Sequence, residues 1–267
     1  MPRPPRPARL SDERSAVKTY ARRRRAPIII RWTRARLLRI YRRLRERHGP
    51  AGWWPGETPF EVCLGAILTQ NTAWTNVERA LNVLRSRDLI SFEALDALSA
   101  AEIAPLIRAS GYFNVKARRV RAFLDFLGAA YGGRLEALSR EEPGVLRQRL
   151  LAVAGIGRET ADSIVLYAAG HPSFVIDAYT RRVFTRLGLL GGGESYTEVQ
   201  RLFEENLPRD AALYNDYHAQ IVRLGKDFCR PRPLCPECPL ADLCRHCERV
   251  RRAVAQGIRR RRRAKLL

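Results

Sequence analysis

Apolar and polar residues alternate with a helical period along most of the 267-residue chain. Apolar side chains recur three or four residues apart, and short loops rich in Gly and Pro separate the periodic stretches. No stretch shows the strict alternation of a strand. The pattern therefore predicts an all-α protein of nine to twelve helices. The predicted helices cover residues 33–48, 59–70, 73–86, 92–98, 101–108, 114–131, 144–152, 158–169, 177–187, 196–205 and 210–225.

The two ends of the chain depart from this pattern. Residues 1–32, rich in Pro and Arg, predict a flexible basic arm, and residues 249–267 predict a basic tail. The chain has 49 basic and 27 acidic residues, a net charge of +22, and nearly all of the excess lies in residues 1–50 and 249–267. Such ends suit a polyanion such as nucleic acid, although Arg-rich tails can also be merely solvated.

Membrane and secretory segments are missing from the pattern. No run approaches the roughly 18–20 apolar residues of a membrane span. The apolar run at residues 27–30 is far too short for a signal peptide. We therefore expect a cytoplasmic, nucleoid-associated protein that does not bind membranes.

Five of the six cysteines fall within nineteen residues. Cys63 lies apart, in an apolar helical stretch, and is expected in the core. An odd number of clustered cysteines, with no sign of secretion, argues against a disulfide framework. Two metal-binding sets stay open on spacing alone, the first resembling the loop of a [4Fe–4S] cluster and the second a small zinc site. The first set is Cys229, Cys235, Cys238 and Cys244; the second is Cys235, Cys238, Cys244 and Cys247.

A Gly-x-Gly turn joins two predicted helices. Gly155 and Gly157 permit positive φ and the close approach of a phosphate, and amide groups at the start of the next helix would point at that phosphate. The turn predicts DNA binding without sequence preference, although many tight helix–helix turns look the same. The candidate DNA-binding residues of the turn are Gly155, Ile156, Gly157, Arg158 and Thr160.

Asp177 follows an apolar triplet and opens the next predicted helix. As a helix N-cap it needs no further role. A carboxylate beside a DNA-binding turn is also what base excision requires, because breaking an N-glycosidic bond builds positive charge on the sugar and a fixed carboxylate stabilises that charge.

The order and spacing of these motifs over residues 34–246 resemble the endonuclease III superfamily of DNA glycosylases. Supporting matches are the segments 68–72 (Leu-Thr-Gln-Asn-Thr), 111–117 (Gly-Tyr-Phe-Asn-Val-Lys-Ala) and 224–229 (Leu-Gly-Lys-Asp-Phe-Cys). The first cysteine gap has five residues where the family commonly has six, a difference that a loop can absorb. The resemblance selects the [4Fe–4S] set of cysteines over the zinc set.

The resemblance implies a two-domain helix-hairpin-helix DNA glycosylase fold that acts as a monomer on double-stranded DNA. A six-helix barrel with the hairpin would span residues 51–172. Residues 33–50 and 173–248 would form a helical iron–sulfur domain, and the active-site cleft would lie between the two domains.

The resemblance also implies roles for individual residues. Asp177 would match the catalytic aspartate. Gln70, next to Asn71, would fill the gap left by a flipped nucleotide. Arg230 and Arg232, inside the first cysteine gap, would face DNA phosphates.

Glu159 departs from endonuclease III proper, which has at this position a lysine that attacks the sugar and nicks the strand. A carboxylate cannot form a Schiff base, and the lysines elsewhere belong to other family motifs (Lys116, Lys226) or lie in the ends (Lys18, Lys265). The resemblance therefore implies a monofunctional enzyme that uses water as the nucleophile. Three roles stay open for Glu159: holding the base, ordering a water, or bridging to a neighbouring Arg.

The turn sequence and the tryptophans resemble one branch, the 3-methyladenine DNA glycosylases of endonuclease III type. The resemblance places Trp54 and Trp74 on opposite sides of a base pocket, with Trp53 and Pro55 in its wall. A 3-methylated purine is cationic, and an indole face favours it by roughly 0.5–2 kcal/mol once the base is flipped out. Alternatively, Trp53 and Trp54 form a hydrophobic plug between domains.

The sequence thus predicts a base excision repair glycosylase that hydrolyses the N-glycosidic bond of alkylated purines such as 3-methyladenine. One alternative is a glycosylase of the same fold acting on uracil or thymine mismatches or on oxidised pyrimidines. The other is a non-catalytic iron–sulfur DNA-binding protein, against which the presence of Asp177 at the family spacing argues.

Overall fold

The computed structural model describes residues 33–52 and 56–264, with side chains through residue 256. Within these ranges the chain is helical and has no strand, so the predicted all-α fold is confirmed. The predicted N-terminal arm lies outside the described residues. The helices are α1 (Arg34–His48), α2 (Pro59–Leu68), α3 (Trp74–Arg85), α4 (Phe92–Asp96), α5 (Ala100–Leu106), α6 (Phe113–Tyr131), α7 (Pro143–Ala152), α8 (Arg158–Ser163), α9 (Ala178–Leu187), α10 (Tyr196–Glu204), α11 (Ala211–Asp227) and α12 (Arg245–Ala264).

Side-chain caps fix where several helices begin. Thr58 accepts a hydrogen bond from the Glu61 amide at 3.2 Å at the start of α2. Ser195 and Glu198 form a reciprocal capping box at the start of α10. Shorter 3₁₀ turns lie at Arg108–Ser110, Leu135–Arg140 and Cys235–Glu237. In the described part of the chain, no helix is both long and apolar enough to cross a membrane.

Buried apolar side chains form two clusters. The first is built from α2 to α8 and runs from Phe60 to Ala169. The second combines α1 with α9, α10, α11 and the loop that follows α11. Segments far apart in sequence therefore share the second core, while the first core comes from one continuous stretch. The division into domains at residues 51 and 173 stays a prediction.

The predicted helix over residues 158–169 contains a π-helical turn. After α8, the Ala169 amide donates to the Ile164 carbonyl at 3.0 Å, five residues back. A π turn holds more residues than an α turn and often marks a functional site. Ile164 belongs to the first apolar cluster and Leu166 to the second, so this turn packs against both.

The predicted basic tail is helical through residue 264. Cys247, in the first turn of α12, is buried, whereas residues 248–256 are exposed. Glu248 pairs with Arg252 one turn later. Apolar residues recur at helical spacing in α12 (Cys247, Val250 and Val254), but the sequence prediction treated this segment as a basic tail; the helix propensities of Arg and Ala also favour the helix.

Candidate active site

An open cleft of about 990 Å³ lies beside the Gly155–Gly157 turn. Its walls come from the turn between α2 and α3, from the start of α8, from the start of α9, and from α11. Its volume is at the upper end of the range for small-molecule sites, which extends to roughly 1,000 Å³. Glu159 and Asp177 both line this cleft.

Asp177 is the N-cap of α9, and its side chain is 12% exposed. Its Oδ1 atom accepts a hydrogen bond from the Thr180 amide at 2.7 Å, and its Oδ2 atom lies 3.5 Å from His218 Nε2. Burial alone would raise the pKa of Asp177, but His218 and the hydrogen bonds from Thr180 outweigh it and lower the pKa below its usual value. The capping role and an ionised carboxylate in the cleft therefore coexist in one side chain.

Glu159 lies in the first turn of α8 and is exposed to solvent in the cleft. The cleft walls remove part of its hydration, the charge of Asp177 adds repulsion, and together they raise the pKa of Glu159 to about 7 against the opposing effect of His218. One carboxylate therefore stays ionised while its neighbour exchanges a proton near neutral pH. Such a separation is a common basis for distinct acid and base roles.

The two glycines of the turn serve different purposes. Gly155 has φ +84°, and a Cβ there would clash with the Arg119 side chain, so any other residue would be strained and would displace Arg119. Gly157 has φ −90° and does not use positive φ. No atom lies within 4 Å of the Cβ position at Gly157, which leaves open space above the start of α8. Ile156 between them is buried and anchors the turn.

Gln70 links the turn after α2 to the Gly-x-Gly turn. Its Nε2 atom donates to the Gly155 carbonyl at 3.2 Å and to Thr160 Oγ1 at 2.9 Å. Arg119 donates to the Gln70 side-chain oxygen. Asn71, the next residue, is exposed and has φ +54°.

The predicted base pocket is described in part. Trp74, the first residue of α3, lines the cleft and packs against the first apolar cluster. Trp53, Trp54 and Pro55 lie outside the described residues, so their predicted places in the pocket stay predictions. Two further aromatic side chains, Tyr179 and Tyr196, line the same cleft.

The loop between α11 and α12 carries Cys229, Cys235, Cys238 and Cys244, and Cys247 lies in the first turn of α12; all five are free thiols. Burial and the neighbouring thiols raise the pKa of Cys238 to about 11. Cys247 is within hydrogen-bonding reach of Cys235 and Cys244, so it stays close to the predicted ligands. Among the described residues, no three Cys, His, Asp or Glu side chains surround one point as ligands of a single metal ion do. A cluster of four irons is held around its periphery, and four thiols in one loop match that chemistry.

Arginines of α9 hold this cysteine loop. Arg182 donates to the Cys229 carbonyl at 2.7 Å. Arg186 Nη1 lies 3.3 Å from Cys229 Sγ and donates to the Arg230 carbonyl at 2.6 Å. Because α9 begins at Asp177, the loop and the catalytic candidate are joined through one helix. Arg230 and Arg232 are both exposed.

Sequence reasoning missed several groups at the cleft. His218 lies on an apolar stripe of α11, and a lone histidine at such a position is usually predicted to be a buried structural residue. Lys226 also lines the cleft, although the sequence placed it only in a family motif. Lys116 is buried, and its Nζ atom donates to two backbone carbonyls. Lys116 is not among the residues that line the cleft, so its amine is a poor candidate for attack on the sugar.

Comparison with known proteins agrees with these features. Residues 64–209 match the HhH-GPD superfamily of base excision DNA repair proteins. A protein of Methanocaldococcus jannaschii, provisionally named a DNA repair glycosylase, is 44% identical over 209 residues, which are 78% of this chain and 95% of the relative. Endonuclease III of Thermotoga maritima is 30% identical over 195 residues, covering 73% of this chain and 84% of the relative.

Two solved structures share the fold. A non-covalent endonuclease III–DNA complex is similar with a TM-score of 0.71 and 24% identity, covering 82% of this chain and 99% of the other. The H. pylori 3-methyladenine DNA glycosylase bound to 1,N6-ethenoadenine is similar with a TM-score of 0.63 and 29% identity, covering 71% and 97%.

Proposed function

Because the chain belongs to the HhH-GPD superfamily of base excision DNA repair proteins, we propose that it is a monofunctional DNA glycosylase for alkylated purines such as 3-methyladenine. The observation that carries the proposal is the pair of carboxylates in the cleft, Glu159 and Asp177. A lyase needs an amine next to the sugar, and Glu159 provides a carboxylate in its place. The cleft would lie between the two domains that the sequence predicts.

Asp177 would stabilise the sugar as the base departs. Cleavage of the N-glycosidic bond passes through an oxocarbenium-like state, in which positive charge develops on the deoxyribose. A carboxylate that is fixed by the Thr180 amide and stays ionised stabilises this charge without having to reorganise. Asp177 is therefore the proposed catalytic residue.

Glu159 would activate the water molecule that attacks the sugar. With a pKa raised to about 7, a fraction of Glu159 is ionised at neutral pH and can accept a proton from a water that attacks the sugar. The water oxygen forms the new bond to the anomeric carbon, and the base leaves with the bonding electrons. Of the three roles left open by the sequence, the position of Glu159 in the cleft favours this one.

The pocket would hold the flipped base between aromatic side chains. Trp74, Tyr179 and Tyr196 line the cleft, and an electron-poor methylated purine gains from stacking on such rings. The positive charge of the methylated purine makes this base a good leaving group. The 29% identical H. pylori relative is named for this substrate, which supports the choice of base. Trp53, Trp54 and Pro55 are proposed to complete the pocket.

The DNA backbone would be held by the Gly-x-Gly turn. The open space above Gly157 lets a phosphate approach the amides at the start of α8. Gln70 and Asn71 are proposed to meet the duplex where the nucleotide leaves it. The exposed side chains of Arg158, Arg230 and Arg232 would pair with phosphates. We propose that the protein acts as a monomer associated with the nucleoid.

We further propose that Cys229, Cys235, Cys238 and Cys244 hold a [4Fe–4S] cluster. A bound cluster would cross-link the loop between α11 and α12. Purified protein should be brown, with about four irons per chain as the formula of the cluster requires, and colourless protein containing zinc would contradict the proposal. Cys229→Ser should lower the iron content, while Cys247→Ser should not. The reverse result would assign the metal to Cys235, Cys238, Cys244 and Cys247 instead.

The proposed function is tested by base release from a dimethyl sulfate-treated DNA duplex, with free bases and strand breaks scored separately. We expect free 3-methyladenine, with breaks only after alkali, and no release by Asp177→Asn. Duplexes with uracil or thymine opposite guanine, or with an oxidised pyrimidine, are assayed in parallel. Release from these alone would overturn the choice of base but keep the glycosylase. Full activity of Asp177→Asn would overturn the role of Asp177.

A further inference from the structure

His218 joins two side chains of the cleft region that are far apart in the sequence. Its Nδ1 atom lies 2.5 Å from the Tyr167 hydroxyl, and its Nε2 atom lies 3.5 Å from Asp177 Oδ2. The imidazole is buried, with 5% of the side chain exposed. Within the described part of the chain, Nε2 has no hydrogen-bond partner. A buried ring nitrogen thus points at the proposed catalytic carboxylate.

The neighbours of the ring determine which nitrogen carries the proton. If Nδ1 held the only proton and donated it to Tyr167, Nε2 would present a lone pair to the Asp177 carboxylate. Two acceptors facing each other in a buried place repel. If the Tyr167 hydroxyl donates to Nδ1 instead, the proton sits on Nε2 and an N–H faces Asp177. The separation of 3.5 Å is long for a hydrogen bond, so this N–H stabilises the carboxylate mainly through its dipole.

We propose that His218 is a positioning residue, whose Nε2–H tautomer is fixed by Tyr167 and holds the Asp177 carboxylate ionised and oriented. The proposal rests on the glycosylase role of Asp177 proposed above and adds two residues to it. Neither His218 nor Tyr167 would contact the substrate sugar in this arrangement. Both act through Asp177.

The fold explains why these groups meet. Tyr167 lies in the π turn, which packs against α11, the helix that carries His218. Asp177 is fixed independently as the N-cap of α9. Three separate elements therefore converge on the imidazole. The other charged or titratable groups that line this cleft are Arg119, Arg158, Glu159, Tyr179, Tyr196 and Lys226.

The first experiment measures single-turnover release of 3-methyladenine from a dimethyl sulfate-treated duplex. We expect Tyr167→Phe to lower the rate about tenfold, the effect of roughly one pKa unit of lost stabilisation. His218→Leu should lose more. His218→Gln should recover most of the loss, because its amide can donate from near the Nε2 position. In each variant, the maximal release rate should fall, while the enzyme concentration that gives half of this rate should stay nearly unchanged.

The pH profile separates positioning from folding. It is recorded in a Glu159→Gln background, so that the remaining acid limb reports Asp177. Loss of the N–H removes a group that favours the ionised carboxylate, so His218→Leu should move the acid limb to higher pH. The control is Tyr41→Phe. It removes a similar hydroxyl, which donates to Asp216 over 2.6 Å and does not line the cleft. An unmoved limb in His218→Leu would overturn the proposal.

The second experiment does not depend on activity. The chain has four histidines, so ¹⁵N spectra of the imidazole rings can be assigned with the His218→Gln variant. We expect a protonated Nε2 and an unprotonated Nδ1 in the full-length protein, and a changed Nδ1 signal in Tyr167→Phe. A protonated Nδ1 would overturn the proposal. If the protein shows the expected tautomer but releases no base, the proposed function is disproved, while the arrangement of Tyr167, His218 and Asp177 stands.

Discussion

Lys116 donates a hydrogen bond from its buried Nζ atom to the Leu68 carbonyl, 2.7 Å away. The same Nζ atom donates to the Ser110 carbonyl at 2.7 Å. One ammonium group therefore ties the turn after α2 to the turn before α6. These turns carry two exposed residues with positive φ, Asn71 at +54° and Tyr112 at +47°.

Tyr112 is 74% exposed in a left-handed conformation that a bulky residue rarely adopts. We expect this aromatic ring to stack on a base next to the flipped nucleotide. Tyr112→Gly should therefore stabilise the protein by about 1 kcal/mol, because the backbone strain is relieved, and should weaken binding to a damaged duplex. Urea unfolding and fluorescence anisotropy measure the two effects.

Asp88 provides the matched control for Tyr112. It is also exposed, with φ +55°, in the turn after α3. Asp88→Gly should give a smaller gain in stability, because Asp adopts the left-handed region at less cost than Tyr, and should not weaken DNA binding. If Tyr112→Gly binds DNA as tightly as the unmodified protein, the strain at Tyr112 has no role in binding.

The identity of residue 159 should decide whether the enzyme nicks DNA. Borohydride should trap no covalent complex with the unmodified protein or with Glu159→Gln. Glu159→Lys should yield a trapped complex, because it places an amine in the cleft beside Asp177. Gel electrophoresis of labelled duplex after borohydride treatment measures this.

Lys226 is the critical control for trapping, because it is a lysine that lines the cleft. Trapping by the unmodified protein that disappears in Lys226→Met would identify an active lyase amine and contradict the monofunctional proposal. Trapping that disappears only in Lys116→Met would contradict the burial of that amine.

Glu159 should make folding stability depend on pH. Its pKa rises from 4.5 to about 7 in the folded protein, so the folded state holds a proton that the unfolded state releases in this window. The contribution of Glu159 to stability therefore falls as the pH rises from about 4.5 to 7. Glu159→Gln removes this loss. Its melting temperature relative to the unmodified protein should thus be higher at pH 8 than at pH 4.

Ionisation of Glu159 should have the opposite effect on activity, which should rise with pH. If ionised Glu159 accepts the proton from water, base release should rise with pH through about 7 in the unmodified protein. Glu159→Gln should be slower and should lack this rise. A melting-temperature difference that is the same at pH 4 and pH 8 would contradict the raised pKa.

Trp74 should matter more for base release than for duplex binding. An indole face that stacks on a cationic base contributes roughly 0.5–2 kcal/mol, so Trp74→Ala should slow single-turnover release of 3-methyladenine by up to about thirtyfold. Affinity for an undamaged duplex should change little, because the bases of such a duplex stay stacked in the DNA and do not enter the pocket. The release rate of Trp74→Phe should lie between that of the unmodified protein and that of Trp74→Ala. Equal losses in release and affinity would assign Trp74 to packing against the first apolar cluster.

The arginine run near the C-terminal end should control the salt dependence of DNA binding. Replacing Arg259 to Arg263 with glutamine removes five positive charges while keeping the chain length. Each phosphate contact contributes about 0.9 to the slope of log affinity against log salt. We expect the slope to become shallower by at least about one such contact, with base release at low salt nearly unchanged. An unchanged slope would show that these arginines stay in solvent.

Much of the fold was predictable because its signals are local. When the π turn is counted with α8, the ends of the predicted helices lie within two residues of those observed, since caps such as Thr58 and Ser195 act within one turn. Asp177 was predicted as an N-cap, and the structure confirms that geometry. Helix α12 was not predicted, although Cys247, Val250 and Val254 recur at helical spacing, because its many arginines are also typical of a solvated basic tail.

The unpredicted part of the site depends on contacts between distant segments. Tyr167 and His218 are 51 residues apart, and no spacing rule brings them together. The separate uses of Gly155 and Gly157 depend on the Arg119 side chain, which comes from another helix. The raised pKa of Glu159 likewise depends on Asp177, eighteen positions later in the chain.

The π turn at residues 164–168 has a consequence for how such chains can change length. An α-helix advances 100° per residue, so a turn that contains one residue more than the regular repeat can lose that residue and remain helical. Such a deletion would turn Tyr167 by about 100° relative to α8 and carry its hydroxyl away from His218. A one-residue gap at this place in a related sequence would therefore mark a protein that holds its aspartate by other means.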